Sequence, residues 1–330
     1  MTSSASPELP YTEAWLQKPG PHPTKFYTRT YSCQQPKAVL VFIHGFAEHV
    51  GRYDHIHPRF PKHGIALFTF DQRGFGRTAL DEKERSKDSS WGKTSWDDQM
   101  QDITWALKHA QETFPGIPLF LMGHSMGGGE VLGYTTVYGD KSLTTRLAGV
   151  IASSPLIEQA KPASKLLRWI GGKASVLSPY TVIPADLNPD DLSRSKEAND
   201  AYMKDPLIKQ SGTLRGISDM LTKVGHSQIT LRILADRVQG EELLKKQAYK
   251  HWPPSVPALF IHGTGDRVTS YTASQTFYDN LSIKEKKIRL FDGGYHELVN
   301  DPGDVPDEVV KEIFSFIDSH LQSPEVGAKM

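Results

Sequence analysis

Six short apolar runs separated by stretches of helical period constrain this chain more than any other feature of it. Ala38–Ile43 (AVLVFI), Ile65–Phe70 (IALFTF) and residues 118–122 (PLFLM), 148–152 (AGVIA), 257–261 (PALFI) and 288–291 (IRLF) are continuously apolar or nearly so. Strands buried on both faces of a parallel sheet read this way. Residues 25–31 alternate more and read as an antiparallel edge strand. Between the runs, Trp96, Met100, Ile103, Leu107, Ala110 and Phe114 step by three or four and share one stripe of a helix. Ser95 with Asp98 three residues on predicts its N-terminal cap. Val309, Ile313, Phe316, Ile317 and His320 repeat the pattern near the C-terminus. Strands alternating with helices predict an α/β fold, a mostly parallel, doubly wound sheet with helices on both faces.

The alternation breaks over 155–254, which is rich in Pro, Gly and Ser early (Gly171, Gly172, Pro179, Pro184, Pro189) and helical over 241–249. The expected organisation is a core in two parts, 1–154 and 255–330, with 155–254 inserted as a mainly helical cap or lid above the sheet. Residues 1–20 and the last eight read as mobile tails. Lys and Arg number 38 and so do Asp and Glu, so charge gives no reason to expect a nucleic-acid partner. The lone Cys33 excludes an intrachain disulfide framework and a multi-cysteine metal cluster. No stretch of about 18 apolar residues could span a bilayer, and residues 1–10 lack the pattern of a secretory signal. The expectation is a cytoplasmic protein.

Chemistry concentrates at strand ends. Gly123-His124-Ser125-Met126-Gly127 follows PLFLM directly and opens a segment, 128–138, that can be helical. A serine at a sharp strand-to-helix turn needs small residues two positions either side, and the turn projects its hydroxyl above the sheet. Such a hydroxyl needs a base, and the base an orienting carboxylate. Asp266 follows PALFI through His262-Gly263-Thr264-Gly265, and His296 follows IRLF through Asp292-Gly293-Gly294-Tyr295. Asp292 lies too near His296 in the chain to reach around it, and Asp71 fits a structural role in its own turn, DQRGFG. A cradle for the oxyanion would come from two backbone N–H groups, those of Met126 and Phe46, with Gly45 letting the chain turn.

The motifs HGFAEHVGRY (44–53), FDQRGFGRT (70–78), GHSMGG (123–128), GTGDRV (263–268) and GGYHEL (293–298) resemble, in order and spacing, the series of the monoacylglycerol lipase family of α/β hydrolases. The resemblance implies the α/β-hydrolase fold, a triad of Ser125, Asp266 and His296, oxyanion N–H groups on Phe46 and Met126, and no cofactor. It also implies that Glu48, Arg52, His124 and Tyr202 lie near the glycerol hydroxyls. Tyr202 sits in YMKDPL (202–207), the one part of 155–254 that is similar to the family. The family has glycine where this chain has Ala47, and often a small residue where it has Phe46. A positive φ at 47 would strain alanine.

Hydrolysis of a monoacylglycerol to fatty acid and glycerol is the activity so implied. The alternatives are a lysophospholipase or general carboxylesterase with the same triad, and a catalytically inactive binding module. Epoxide hydrolases and dehalogenases of this fold place Asp at the elbow, so Ser125 argues against them. A metal hydrolase, prompted by His44, His49, His55 and His57, lacks a ligand set. Within 156–170, Leu166, Leu167, Trp169 and Ile170 stand beside Lys161, Lys165 and Arg168. That mixture suits peripheral contact with a membrane or lipid-droplet surface through the cap.

Overall fold

All six apolar runs become strands of one eight-stranded sheet. The computed structural model describes residues 9–161, 173–185, 187–222 and 243–321. Along the chain the strands are β1 (Thr12–Lys18), β2 (Thr24–Tyr31), β3 (Ala38–Ile43), β4 (Ile65–Phe70), β5 (Leu119–His124), β6 (Gly149–Ser153), β7 (Val182–Pro184), β8 (Ser211–Thr213), β9 (Ala258–Gly263) and β10 (Lys286–Phe291). The main sheet runs β1-β2-β4-β3-β5-β6-β9-β10, and β7 pairs with β8 apart from it. From β4 to β10 every pairing is parallel; β1 and β2 are antiparallel. Strands β3, β4, β5, β6 and β9 are buried at every position, as their unbroken apolar runs require.

The edges depart from expectation. Residues 25–31 are antiparallel but internal, because β1 covers them and is itself the edge. The tail expected over 1–20 is therefore a paired strand from Thr12 to Lys18. At the far edge β10 alternates in exposure instead of being buried on both faces.

The helix Trp96–Thr113 starts where expected: the Ser95 hydroxyl accepts from Asp98 N. Its stripe packs with Val39, Val41, Phe68 and Leu121 on one face of the sheet. On the other face Val309, Ile313, Phe316 and Ile317 of the helix Val305–Ser319 pack with Leu40, Phe120 and Leu259. At about 25 cal/mol per Å² of apolar surface removed from water, these two layers dominate the stability of the sheet.

Between β6 and β9 the chain makes a long excursion with the helices Lys196–Lys204 and Leu214–Thr222 and the pair β7–β8. No strand was expected there. The excursion rests on loops that leave the C-terminal ends of core strands. Trp91 Nε1 donates to Ser211 O at 2.8 Å, Glu297 N to Leu192 O at 2.8 Å, and Arg194 pairs with Asp301 at 3.2 Å. Leu166, Leu167, Trp169 and Ile170, with Lys165 and Arg168, lie outside the described residues, as do 241–242 and the last eight.

Candidate active site

The order β4-β3-β5 reverses the direction of winding between β3 and β5. Loops leaving their C-terminal ends diverge there and open a crevice, the usual ligand position in open α/β sheets. Ser125 leaves β5 at this point and enters the helix Met126–Gly133 with φ 55° and ψ −118°, a backbone region costly for any residue with a side chain. The flanking glycines are needed for space. A Cβ at 123 would collide with the Gly127 carbonyl, and one at 127 with the carbonyls of Ile43 and His44. The strain is held by backbone bonds: Ser125 N donates to Ser153 O at 3.0 Å, and its carbonyl accepts from Gly129 N and Leu156 N.

Ser125, His296 and Asp266 meet. Ser125 Oγ lies 2.9 Å from His296 Nε2, and His296 Nδ1 lies 2.8 Å from Asp266 Oδ2. A carboxylate facing Nδ1 fixes the proton there and leaves Nε2 free to accept from the serine. Asp266 Oδ1 accepts from Val268 N and Thr269 N at 2.8 and 2.9 Å, and Oδ2 also lies 2.8 Å from the Thr269 hydroxyl. A second imidazole, His262 Nε2, reaches the same Oδ2 at 3.0 Å while its Nδ1 faces Ser274 Oγ. Burial pushes the Asp266 carboxyl up, but the charge of His296 and hydrogen bonds from both histidines outweigh it and hold the group far below the carboxylate range. Burial likewise opposes the His296 imidazolium; the Asp266 carboxylate overcomes it and raises the pKa.

The loop after β3 passes directly beside the serine. A Cβ on Gly45 would sit 3.1 Å from Ser125 Cβ and 2.7 Å from Glu48 Oε1. Close approach, not turning freedom, is what glycine supplies at 45. The turn itself is made by Ala47, at φ 55°. Met126 thus follows Ser125 directly in the chain, and Phe46 follows Gly45, the residue that approaches the serine. The Met126 N–H is the first of its helix, and the fold supplies no carbonyl one turn back.

Glu48, Arg52, His124 and Tyr202 also come together. Arg52 Nη1 donates to Glu48 Oε2 at 2.8 Å, and Arg52 grips Glu297 with two parallel bonds of 2.6 and 2.8 Å. Tyr53 and Gly45 N donate to Glu48 Oε1, and Asn300 to Glu297. The guanidinium lies 4.9 Å over the Tyr202 ring. Against the cost of burial, Arg52 keeps Glu48 below its usual pKa and holds Glu297 at about 2. His124, its ring 4.9 Å from that of His296, is pushed down to about 4 by burial and by that neighbour. Two carboxylates around one guanidinium leave an excess negative charge beside His296, which favours the imidazolium as Asp266 does.

Glu297, Asn300, His262 and Thr269 were not singled out from the sequence. Two signals were present: His262 is the polar residue closing an apolar strand, and Glu297 directly follows His296. Asp71 fills the structural role expected of it, accepting from Val50 N and from Arg77 N in its own turn. Asp292 stands apart from the triad and accepts from Thr264. His44, His49 and His57 do not converge. His44 lies between Gly45 O and Gln72 N, His49 faces Asp205, and His57 stacks on Tyr53. Among the described residues no group of three or more His, Cys, Asp or Glu could hold a metal ion.

This fold, with a serine, a histidine and a carboxylate joined at its strand ends, defines a serine hydrolase of the α/β-hydrolase class. The model of the family described as serine aminopeptidase, S33, matches residues 34–303, and the chain belongs to that family. It is 31% identical over 295 residues to a "Putative monoglyceride lipase" of Schizosaccharomyces pombe, covering 88% of this chain and 70% of that one. A monoacylglycerol lipase of Mycolicibacterium smegmatis is 28% identical over 287 residues, 87% of this chain and 90% of that one. These relatives bear out the resemblance carried by the motifs. The solved structure of a soluble variant of monoglyceride lipase from Saccharomyces cerevisiae, in complex with a substrate analog, superposes with a TM-score of 0.75. It is 24% identical and covers 98% of this chain and 97% of that one, bearing out the fold.

Proposed function

We propose that the protein hydrolyses monoacylglycerols to free fatty acid and glycerol. The Ser125–His296–Asp266 relay on a strained elbow is the observation that carries the reading, and the relatives' names supply the substrate class. Ser125 attacks the ester carbonyl as His296 Nε2 takes its proton, and Asp266 steadies the imidazolium. The N–H groups of Phe46 and Met126 receive the oxyanion, each such donor being worth about 3–4 kcal/mol. His296 passes the proton to the departing glycerol oxygen, and water frees the acid from the acyl-serine by the reverse route. Glu48, Arg52, His124 and Tyr202, beside the histidine, suit a polyol: they offer donors and acceptors to a group too polar for the acyl side.

The excursion between β6 and β9, residues 155–254, serves in this reading as a cap. Its exposed Val176, Leu177, Tyr180 and Val182 support peripheral contact with a lipid surface. Among the described residues no helix is long and apolar enough to cross a membrane.

A hydrolysis panel of mono-, di- and triacylglycerols with lysophosphatidylcholine tests the proposal. Monoacylglycerol is expected to be preferred, and Ser125→Ala to lower turnover by about 10⁴-fold or more. Preference for lysophosphatidylcholine overturns the substrate, and an active Ser125→Ala overturns the mechanism.

A further inference from the structure

Three side chains of the loop after β3 leave the core at intervals of three residues, and each meets the same stretch of the cap. The Phe46 ring lies against Gly212 in β8: a Cβ on Gly212 would stand 2.9 Å from Phe46 Cζ and 2.9 Å from Ile217 Cγ1. His49 Nδ1 accepts from Gly51 N at 3.2 Å, which leaves Nε2–H to donate to Asp205 Oδ2 at 2.9 Å. Arg52 lies over Tyr202. The stretch 202–213 is itself fixed to the core from the opposite side. Trp91 Nε1 donates to Ser211 O, Thr213 Oγ1 donates to Gly92 O at 2.5 Å, and a Cβ on Gly92 would be 2.8 Å from Thr213 N. No side chain could be inserted between β8 and Gly92.

Inside this clasp sits Ala47, a non-glycine residue at φ 55°. A conformation of that kind persists only where its surroundings over-determine it. From within, Glu48 ties Gly45 N to Tyr53 and Arg52. From without, Ala47 packs with Phe75, Ala79, Trp91 and Met126 of the core, and the cap touches its neighbours Phe46 and His49. The Phe46 ring is partly buried and also packs edge-on against Phe75 at 5.5 Å, so it is wedged between core and cap. The backbone N–H at the foot of this ring is the one assigned to the oxyanion.

We infer that cap residues 202–213 position the oxyanion loop, with Gly212 and Asp205 as positioning residues that set the direction of the Phe46 N–H. The inference rests on the hydrolase reading and deepens it: a bulky residue at 46 is matched by the absence of a side chain at 212. Filling position 212 drives the ring, and the peptide behind it, away from the serine.

The test uses the full chain with p-nitrophenyl acetate, whose acyl group needs no long channel, and the rate of serine labelling by a fluorophosphonate. Gly212→Val is expected to lower kcat and the labelling rate about tenfold or more while KM moves less than about threefold, as for a weakened oxyanion donor. Adding Phe46→Ala to Gly212→Val removes the contact with ring 46 and leaves only that with Ile217, which does not bear on the oxyanion loop, and is expected to restore both rates to within about threefold of Phe46→Ala alone. A folded Gly212→Val with wild-type rates overturns the inference, and so does a double variant as slow as Gly212→Val. Should Gly212→Val fail to fold, Asp205→Ala removes the second tie without adding bulk. A kcat lowered at least about threefold at constant KM supports the coupling, and an unchanged kcat overturns it. Run beside these, an inactive Ser125→Ala with an unaffected Gly212→Val removes the coupling alone, whereas an active Ser125→Ala removes the hydrolase reading beneath it.

Discussion

One carboxylate, Asp266, receives hydrogen bonds from two histidines, a hydroxyl and two backbone N–H groups. Its charge is therefore fixed, and His296 is the group left to titrate near neutrality. Because the folded pKa of His296 is raised above 6.5, the proposed base is protonated and idle at a higher pH than an ordinary histidine. The acid limb of kcat/KM is expected to have its midpoint above pH 6.5. In Asp266→Asn the largest opposition to burial is lost and only Glu297 and Glu48 still favour the imidazolium, so the midpoint should fall below the wild-type value and turnover drop by about 10⁴-fold. A rate profile from pH 5 to 9 checks both; a wild-type midpoint below 6.5 would falsify the electrostatic account. The same raised pKa makes the imidazolium stabilising below pH 6.5, a contribution lost as pH rises through the folded value. Ser125, Asp266 and His296 were legible in the sequence because each follows an apolar run through glycines, a local signal. Glu297 acts on Arg52, 245 residues away, a pairing with no local trace, and the only sign at His262 was its place near the end of an apolar strand, four residues before Asp266.

At the level of elements, the elbow helix carries more than its N-terminus. Glu130, four residues past Met126, is fully buried near Gln72, whose amide is committed to the His44 carbonyl, and burial pushes its carboxyl up to about 8. An unfolded chain releases this proton near the ordinary value, so stability should fall as pH rises from about 4.5 to about 8. Glu130→Gln keeps the shape and removes the titration. Its melting temperature should match wild type near pH 5 and exceed it at pH 8, where its unfolding free energy should be larger by an amount on the order of a few kcal/mol. Equal melting differences at both pH values would sink this prediction. The inner strands were legible because burial on both faces leaves a continuous apolar run. The edges were less so: β1 (TEAWLQK) reads as a tail because its mixed sequence resembles a loop until β2 pairs with it, and β10 (KKIRLF), legible through its IRLF run, keeps one face toward solvent where burial on both is expected.

Over the whole molecule, the core strands could be read, and the short strands β7 and β8 within 155–254 could not. Core strands obey a burial rule that leaves its mark on sequence, whereas the described residues of 155–254 combine scattered buried side chains such as Ile157, Leu192 and Tyr202 with polar ties such as Arg194–Asp301 and His49–Asp205, which carry no periodic signature. The described part of the proposed cap exposes Val176 at 75% and Leu177 at 87%, and Lys93 lies over the ring of Tyr180, which is exposed as well. Exposed apolar tips with a cation on a neighbouring aromatic ring suit shallow insertion among lipid headgroups. Val176→Asp with Leu177→Asp is expected to lower co-sedimentation with neutral phosphatidylcholine liposomes several-fold while leaving hydrolysis of a soluble ester unchanged, the lost apolar area being worth about 25 cal/mol per Å². Undiminished sedimentation would remove the lipid-contact proposal.

Ala47 in the left-handed region has a consequence for how the catalytic loop relaxes between turnovers. An alanine there costs about 1–2 kcal/mol relative to an unstrained residue, yet its methyl closes most of the basins that glycine would open. The peptide unit joining 46 to 47 consequently has few ways to flip, and it steadies from one side Phe46, whose own N–H, in the peptide joining 45 to 46, is the proposed oxyanion donor. Some folding free energy is exchanged for a dipole that need not be re-aimed each time an ester arrives.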